Sequence, residues 1–582
     1  MMRFLFIFLI LFWLHALPCF GDSLQLDIKA DSPELQEILQ AAIVIPQSLS
    51  RGKNLNRHWL RHYQKQLPEL ISSSLEPYGY FHSLAEIKLE YPSVDQYLLQ
   101  VNVITGKPVI ISTLQLELSG PGKQLPELQQ TLKNFPLKKG EILRQDFYEQ
   151  GKSLLLQEAI KLGFLDADFL IHQIHVYRQK HRAEIVLQLN TGHRYRFGET
   201  TFTGNSNYPD RFLNRYLSYR TGNNFSQQQI NQTQINLFNS DLFKSVRVYP
   251  DRTHATENLM PVKIELQPSP RRQLRPGVGY GTDTGTRFSL RYRELNLFHL
   301  GHELDGDLLI AEKKQSLVTT YIIPDLNRLD SQIQLRAGFD REESDSYLSR
   351  ELFTEGEYQR AINRNLLASV FLRLTQEYSK VADETNRSQM LLPGIRLQWR
   401  QMDNLIMPRY GQQGNIEIKG AHTTLLSDTS LLQLSAQSTV LTPLPHDFSL
   451  MIRLRGGTTW HDDSFQDLPA SLRFFAGGDR SVRGYAYQSL GPKDENGQVI
   501  GGKHLLVANL EIEKKVTTKW GGAIFYDIGN AFDSLSEYEL EQGAGIGIRR
   551  YTTIGPIRVD LARQIGNRSP RWRIHLSMGF GW

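Results

Sequence analysis

The last eleven residues of the chain read Trp572-Arg-Ile-His-Leu-Ser-Met-Gly-Phe-Gly-Trp582. Every second residue from Trp572 to Trp582 is apolar, and the residues between them are polar or glycine. A period of two places successive side chains on opposite faces of a β-strand. An aromatic-rich face opposite a face that carries arginine and histidine is typical of a strand between lipid and a water-filled lumen. The stretch therefore predicts a membrane-spanning β-strand at the C terminus.

The same alternation extends back from this strand to about residue 277. Apolar residues recur at alternate positions in four further stretches, residues 333–339, 391–399, 448–454 and 506–512, and arginine recurs on the opposite faces. About 306 residues, at about 19 residues per strand with its connection, allow about 16 antiparallel strands, an even number. The second half of the chain therefore predicts a transmembrane β-barrel. Alternation alone leaves a soluble β-sandwich open as the alternative.

The composition excludes two other classes of protein. Apolar residues make up 40% of the chain and charged residues 22%, and the mean hydropathy is −0.38. A bundle of membrane helices would need repeated apolar spans of about 20 residues. The 66 Lys and Arg exceed the 61 Asp and Glu by a net charge of +5 over 582 residues. That charge is too dilute to indicate nucleic-acid binding.

The first 21 residues have the features of a secretory signal peptide. Arg3 precedes an apolar run that extends to Leu17, and small residues near Asp22 fit a cleavage site. An uncleaved anchor is the alternative interpretation. Cys19, the single cysteine of the chain, lies within this segment. The mature chain is therefore expected to form no disulfide and to use no thiol nucleophile.

The first half of the chain repeats one order of elements three times. Each segment begins with a strand, continues with two helical stretches and ends with two strands. The matching sequences Leu99-Gln-Val-Asn102 and Leu187-Gln-Leu-Asn190 close the first two segments. A fixed period predicts an array of modules, which we place at residues 22–106, 107–192 and 193–268. The Pro- and Arg-rich residues 267–272 end the array, and residues 273–582 form the barrel domain.

Two motifs in the second half are more specific than the alternation. They read GGDRSVRGY at residues 477–485 and GGAIFYDIGNAF at residues 521–532. Together with the repeated modules, they resemble the BamA/TamA superfamily of outer-membrane assembly and secretion barrels. The resemblance implies three α+β POTRA-like modules followed by an antiparallel transmembrane barrel. It also implies the outer membrane of a Gram-negative bacterium, with the modules in the periplasm.

The resemblance assigns roles to the residues of both motifs. A loop tip that folds back into the lumen is expected at Val482, Arg483, Gly484 and Tyr485, and its anchor on a strand at Phe525, Asp527 and Gly529. The alternation independently points Asp527 inward, where an arginine could bind it through two hydrogen bonds. The alternative is that Arg483 lies in a solvated loop and Asp527 pairs with another arginine.

The two ends of the barrel sequence predict a weak seam. A barrel in lipid must close between its first and last strands, and both are rich in glycine, which offers few side-chain contacts. The predicted seam residues are Gly277, Gly279, Gly281, Gly579 and Gly581. The resemblance implies that the seam opens laterally and pairs with strands of a client, and that Phe580 and Trp582 form a C-terminal barrel signal. The alternative is that glycine merely permits curvature.

The number of modules suggests a branch of the superfamily. Three modules before a barrel resemble TamA-type members, which implies insertion or secretion of autotransporter-type β-barrel clients. The partners implied are a TamB-like inner-membrane protein, unfolded outer-membrane or autotransporter clients and outer-membrane lipid, with no nucleic acid. The alternative is a two-partner secretion exporter that serves one large secreted protein.

The sequence gives little indication of an enzyme. No Gly-x-Ser-x-Gly motif is present, and Gly151-Lys-Ser153 lacks the earlier glycine of a phosphate-binding loop, because Asp146 occupies that position. His461-Asp-Asp463 could bind a metal but fits a polar loop better. We therefore expect no catalytic residues, no metal and no cofactor.

Overall fold

The computed structural model describes residues 23–578, except residues 47–48, 50–56, 94–95, 205–206, 405–407, 462–464, 537, 553–554 and 567–569. The predicted signal peptide therefore lies outside the described residues, as do Gly579, Phe580, Gly581 and Trp582. The described chain forms two compact units. The first contains two modules and part of the third, and the second contains the rest of the third module and the barrel.

Three small sheets share one topology. Each places its last strand in the centre, in the orders β1-β3-β2, β4-β6-β5 and β7-β9-β8. The central strands β3 and β6 are parallel to the first strand of their module and antiparallel to the other. The predicted array of three α+β modules is confirmed. The elements are β1 (Ser23–Ala30), α1 (Pro33–Ala42), α2 (Arg57–Leu75), β2 (Leu84–Ser93), β3 (Gln96–Ile104), β4 (Ile110–Ser119), α3 (Pro126–Lys133), α4 (Gln145–Lys161), β5 (Asp168–Tyr177), β6 (Arg182–Asn190), β7 (Arg196–Thr203), α5 (Asp210–Asn214), α6 (Gln227–Phe238), β8 (Phe243–Pro250) and β9 (Leu259–Pro268).

Each of the first two modules has its own core between helices and sheet. In the first, Leu60, Leu67 and Ile71 recur at helical spacing on one face of α2 and are fully buried. They pack with Leu99 and Val101 of the central strand. The second module repeats this arrangement with Leu155 and Ala159 of α4 against β6. Helical periodicity in the sequence thus becomes a separate hydrophobic core in each module.

Gly151, the first residue of the rejected phosphate-binding motif, serves packing. It is buried within α4, and a Cβ atom added there would lie 2.3 Å from the ring of Phe135. The missing side chain lets the helix approach the aromatic ring closely.

The second half of the chain forms a closed antiparallel barrel of sixteen strands in the described residues. Each strand pairs with the next along the chain, and β25 closes against β10. The predicted barrel and its strand number are confirmed. The strands are β10 (Arg272–Gly281), β11 (Gly285–Leu297), β12 (His302–Ala311), β13 (Lys314–Pro324), β14 (Ser331–Glu343), β15 (Tyr347–Asn363), β16 (Leu366–Val381), β17 (Glu384–Met402), β18 (Gly411–Ala421), β19 (Leu431–Leu444), β20 (Phe448–His461), β21 (His504–Lys515), β22 (Trp520–Phe532), β23 (Glu541–Thr552), β24 (Gly555–Ile565) and β25 (Trp572–Met578).

The faces of the barrel strands follow the sequence alternation. On β14, Ile333 and Leu335 are exposed on the outer face. Arg336, the residue after Leu335, points to the opposite face, into the lumen, where its Nη1 atom lies 2.7 Å from Glu355 Oε1. An apolar outer face with a charged lumen is the arrangement of a transmembrane barrel.

None of the helices in the described part of the chain is both long and apolar enough to cross a membrane.

The junction between the third module and the barrel is shorter than predicted. Strand β9 extends to Pro268 and β10 begins at Arg272, so both strands enter the expected linker 267–272. Proline is tolerated at the end of a strand because it needs to donate no ladder hydrogen bond there. Arg271 and Arg272 pair with Glu294 of β11 at 3.0 and 3.3 Å, which holds the first residues of β10 in the barrel. The first barrel strand therefore begins before residue 277, to which the sequence alternation extends.

Candidate functional site

The connection between β20 and β21 lies inside the barrel. We call its described residues 465–503 the lumenal loop. Val482 is fully buried in a cluster with Leu505 and Val507 of β21 and Ala531 of β22. A backbone bridge between Phe474 and Gly502 brings the two ends of the loop together. The loop is thus packed against the inner wall formed by β21 and β22.

Arg483 binds three carboxylates from three different strands. Its Nε and Nη2 atoms donate to Asp527 of β22 at 2.7 and 2.9 Å. Its Nη1 atom donates to Glu511 of β21 at 2.7 Å and to Asp560 of β24 at 3.1 Å. The guanidinium also lies 3.4 Å from the ring centroid of Phe525. Arg483 is 4% exposed and Asp527 is 0% exposed, so water screens these charges very little.

A second arginine completes the cluster. Arg549 of β23 is fully buried, and its Nη2 atom donates to Glu511 at 2.7 Å. Its Nη1 atom donates to Asp560. The two arginines therefore share two of the three carboxylates. We call Arg483, Arg549, Glu511, Asp527 and Asp560 the arginine–carboxylate cluster. Two cations facing three anions form a static network that holds the loop by charge-assisted hydrogen bonds.

The neighbours of Arg483 hold the loop through other groups. The backbone nitrogen of Gly484 donates to His575 Nε2 of β25 at 3.0 Å, and its carbonyl accepts from Gln564 Nε2 at 3.0 Å. The hydroxyl of Tyr485 donates to Glu541. Gly529 has a different environment, because a Cβ atom there would lie 2.5 Å from the carbonyl oxygen of Leu506. It permits close pairing of β21 and β22 rather than binding the loop.

Three glycines on the inner face of β23 make room for the loop and the cluster. A Cβ atom would lie 2.0 Å from the carbonyl oxygen of Arg483 at Gly543, 2.5 Å from the ring of Phe525 at Gly545 and 2.0 Å from Asp560 Oδ1 at Gly547. Real Cβ atoms do not approach other atoms so closely. Gly543 and Gly547 therefore form a groove on β23 that admits the loop and the cluster. Gly545 also permits close pairing with β24, because its Cβ atom would lie 2.1 Å from the carbonyl oxygen of Leu561.

Sequence reasoning missed four residues of this site. Glu511, Arg549, Asp560 and His575 were not among the predicted site residues, although alternation places Glu511 and His575 on polar faces. Alternation shows which face of a strand a residue occupies, but not its position along the barrel axis. Residues of different strands meet only when both agree. Acidic residues on the inner faces of neighbouring strands were the available signal.

The first and last strands meet over a very short length. In the described residues, β10 and β25 share one residue pair, Gly281 with Ser577, whereas β10 shares ten with β11. The backbone nitrogen of Thr282 also donates to the carbonyl of Leu576 at 2.9 Å. Gly277 and Gly279 pair with β11 and have no partner in the described part of β25. The seam is thus the least paired junction of the described barrel.

The turn between β10 and β11 contacts the lumenal loop. Asp283 is 5% exposed, and its Oδ2 atom accepts a hydrogen bond from the backbone nitrogen of Asp479 at 2.6 Å. Burial raises the pKa of Asp283, and the neighbouring carboxyl of Asp479 raises it further, against smaller opposing effects of the backbone hydrogen bond from Asp479 and of Arg573.

We expect the packing of the lumenal loop against this turn to be more stable in mild acid than in mild alkali, because burial and the Asp479 carboxyl oppose ionisation of Asp283. An aspartate with a raised pKa holds its proton more tightly in the folded protein than in the unfolded chain, where the pKa is about 4. The stability that this bound proton gives to the folded protein is complete below about pH 4, and it is lost as the pH rises through the raised pKa of Asp283. Limited proteolysis of the loop at mildly acidic and mildly alkaline pH measures the effect. Asp283→Asn should remove the pH dependence, and Asp345→Asn, at an exposed turn, should keep it. The same dependence in Asp283→Asn would contradict this explanation.

The described residues contain no group of three or more His, Cys, Asp or Glu side chains placed to hold a metal ion. His461, the first residue of the suggested metal motif, ends β20, and its Nε2 atom lies 2.7 Å from Thr429 Oγ1. Asp462 and Asp463 lie outside the described residues.

The chain matches known proteins in both halves. Residues 273–582 match the Omp85 superfamily domain, and residues 195–268 match the POTRA family described as a surface antigen variable number repeat. The outer membrane protein assembly factor BamA of Nitratidesulfovibrio vulgaris is 23% identical over 68% of this chain and 52% of its own length. BamA of Buchnera aphidicola is 21% identical over 50% of this chain and 49% of its own length. The chain therefore spans about half the length of these curated relatives.

A solved structure shares the fold. The crystal structure of BamA from Haemophilus ducreyi lacking POTRA domains 1–3 aligns with a TM-score of 0.69 at 17% identity. The alignment covers 81% of this chain and 99% of that one. The predicted family is confirmed at the level of the superfamily, and the predicted localisation is confirmed with it. The chain belongs to the Omp85 superfamily, as an outer-membrane β-barrel that carries its modules in the periplasm.

Proposed function

We propose that the protein is an outer-membrane assembly and secretion factor that engages unfolded β-barrel clients at the seam between β10 and β25. The short pairing of the described parts of β10 and β25, one residue pair, supports this proposal most directly. Unpaired backbone groups are costly in lipid, so a junction with little strand pairing is where an incoming client strand could pair with β10 or β25. Main-chain pairing of this kind accepts clients of many sequences, because every strand offers the same backbone donors and acceptors.

The lumenal loop holds one of the two seam strands, β25, in a fixed position in this proposal. Arg483 and Gly484 connect the loop to β21, β22, β24 and β25. The C-terminal side of the seam is therefore tied to the loop through the interior of the barrel. In this proposal the loop keeps β25 in place while β10 moves, which requires the hydrogen bond between Asp283 and Asp479 to break. The predicted loop and strand motifs then position β25.

The modules provide candidate docking edges for clients and for a periplasmic partner. In the first module β2 is an edge strand of its sheet. Leu84 and Tyr91 on this strand are 70% and 66% exposed. An edge strand with exposed apolar side chains suits β-augmentation by an extended segment. We assign the TamB-like inner-membrane partner to the first module.

We infer a TamA-type branch with autotransporter-type clients, which the three modules of the described chain support. The alternative remains a two-partner secretion exporter, which would use the same barrel and loop for one large secreted protein. The two functions differ in their products. An assembly factor affects several integral membrane proteins, and a dedicated exporter affects one soluble protein.

Comparison of the outer-membrane and secreted proteomes of a deletion strain with those of its parent tests the proposal. We expect several barrel proteins or autotransporters to decrease in the membrane fraction and to return on complementation with the wild-type gene. Loss of one large secreted protein with an unchanged membrane fraction would instead identify an exporter. If the membrane and secreted fractions of the deletion strain equal those of its parent, both functions are contradicted.

A further inference from the structure

A cavity of about 800 Å³ opens on the inner faces of β15–β20. Five arginines line it, and no Asp or Glu occurs among the described residues of its wall. The remaining polar side chains are neutral amides and hydroxyls, such as Gln398, Gln413 and Gln437. We call it the arginine cavity. The five arginines are Arg364, Arg400, Arg453, Arg455 and Arg480.

The cavity lies at the periplasmic end of the lumen. Strand β10 begins where the third module ends, so its first residue marks that end of the barrel. Since successive strands alternate in direction, the turn between β15 and β16 lies at the same end. Arg364 occupies this turn, and Arg400 lies near the end of β17. An anion that enters the lumen from the periplasm would therefore contact Arg364 and Arg400 first.

These arginines differ from the other arginines of the lumen in having no acidic partner. Arg336, Arg373 and Arg396 each bind a glutamate at 2.7 to 2.8 Å. In contrast, the Nη2 atom of Arg453 lies 4.0 Å from the sulfur of Met451. No described carboxylate forms an ion pair with any of the five arginines of the cavity. Within the described residues, the five arginines therefore lack the direct carboxylate partners that the other lumenal arginines have.

Two fixed elements hold the arginines close together. Arg453 and Arg455 are two residues apart on β20, so both side chains lie on its inner face. Arg480 belongs to the lumenal loop, three residues before Arg483, whose ion pairs fix the loop. Arg453, Arg455 and Arg480 also border a second cavity of about 390 Å³, whose wall carries the acidic residues Asp283, Asp479, Glu511 and Asp560, none of which lines the arginine cavity. Like charges held together in a confined space repel one another, and a bound anion relieves this repulsion.

The volume of the arginine cavity and the number of its arginines indicate which class of anion it would bind. Small-molecule sites measure about 300–1,000 Å³, so the cavity fits a compact group rather than a folded segment. Guanidinium groups bind phosphate oxygens in pairs. A phosphate group concentrates more than one negative charge on a single centre, whereas an acidic peptide carries one charge per side chain. Several convergent arginines therefore match phosphate better than a peptide.

We propose that the arginine cavity is a binding site for a phosphate-bearing anion, either a free phosphate compound or the headgroup of a phospholipid. The site is separate from the seam, and binding there adds a ligand to a protein whose proposed function requires none. A bound anion also bridges β20 and the lumenal loop, because Arg453 and Arg480 lie on different elements.

Calorimetric titration of the purified full-length protein in neutral detergent tests the site. Pyrophosphate and a short-chain phosphatidic acid serve as probes, and hexaglutamate serves as the competing acidic peptide. We expect pyrophosphate, phosphatidic acid or both to bind, and affinity to fall at least about tenfold in Arg453→Gln, which is the loss of about 1.4 kcal/mol. Arg350→Gln removes an arginine from the outer face of β15 and should bind as the wild type does.

The outcomes separate the sources of phosphate and the competing explanation. Tighter binding of phosphatidic acid identifies a lipid headgroup, and tighter binding of pyrophosphate identifies a free phosphate compound. Arg480→Gln, at an exposed position of the loop, provides a second variant that does not alter a barrel strand and should also lose affinity. Absence of binding by both phosphate probes, tighter binding of hexaglutamate, or unchanged affinity in Arg453→Gln and Arg480→Gln would each overturn the proposal.

Discussion

Arg483→Ala is expected to release the lumenal loop and to lower the free energy of unfolding by about 3–5 kcal/mol, the cost of leaving a buried charge without its partner. Asp527, which is fully buried, would lose both side-chain hydrogen bonds from the guanidinium. Glu511 and Asp560 would keep only Arg549 from the cluster. Three carboxylates facing one arginine repel one another, so the loop loses its attachment to the wall.

Three measurements check this expectation. Limited proteolysis of the loop reports its release, thermal unfolding in detergent reports stability, and complementation of the deletion strain reports activity. Lys493→Ala changes an exposed residue of the same loop and should behave as the wild type in all three. A stably expressed Arg483→Ala protein that complements fully would refute the role of this arginine.

Gly543→Ala should displace the loop without removing a charge. Its Cβ atom would have to occupy a position 2.0 Å from the carbonyl oxygen of Arg483, which is backbone and cannot rotate away. Gly522→Ala, on the neighbouring strand β22, is the matched control. Its Cβ atom would lie no closer than 3.9 Å to any of the surrounding atoms. Increased proteolysis of the loop in Gly543→Ala alone would show that the groove on β23 holds it.

A disulfide across the seam is expected to reduce client assembly to the level of the deletion strain. Gly281 and Ser577 are directly paired across the seam, and directly paired strand residues lie within the Cα separation that a disulfide spans. Oxidation of the Gly281→Cys/Ser577→Cys protein would join β10 to β25 covalently. If clients enter at this junction, the oxidised form cannot accept them. Addition of reductant should restore assembly.

The control places the same crosslink on the other side of β10. Gly277 pairs with Ser289 of β11, so Gly277→Cys/Ser289→Cys forms a disulfide that leaves the seam free. The only natural cysteine, Cys19, belongs to the predicted signal peptide, so few competing disulfides are expected. Assembly by the oxidised seam variant at the wild-type level would exclude lateral opening.

The sequence predicted the architecture better than the boundaries of its elements. A period of two identifies the inner and outer faces of a strand wherever its neighbours lie, which is why Leu335 and Arg336 were assigned to opposite faces correctly. The end of a strand depends on pairing with a neighbour. The salt bridges of Arg271 and Arg272 with Glu294, which hold the start of β10, could not be seen in a segment that looked like a linker.

The candidate site shows the same division. Arg483 and Asp527 were paired through a resemblance to a family, and the structure places their side chains 2.7 Å apart. Glu511, Asp560 and Arg549 escaped attention because their meeting depends on the stagger of four strands. The role of the loop and the seam in client assembly remains a prediction, as does the TamA-type assignment.

The contacts of the lumenal loop also impose an order on folding. Arg483 is separated along the chain from Glu511, Asp527 and Asp560 by 28, 44 and 77 residues, and Gly484 from His575 by 91. Contacts between distant residues form late, because closing a long loop costs conformational entropy. Since β25 supplies His575, the loop reaches its full set of contacts only after the last strand is in place. Contacts that form after the rate-limiting step slow unfolding more than they accelerate folding. The loop therefore slows the unfolding of strands that have already paired, while it adds little to the rate at which they fold.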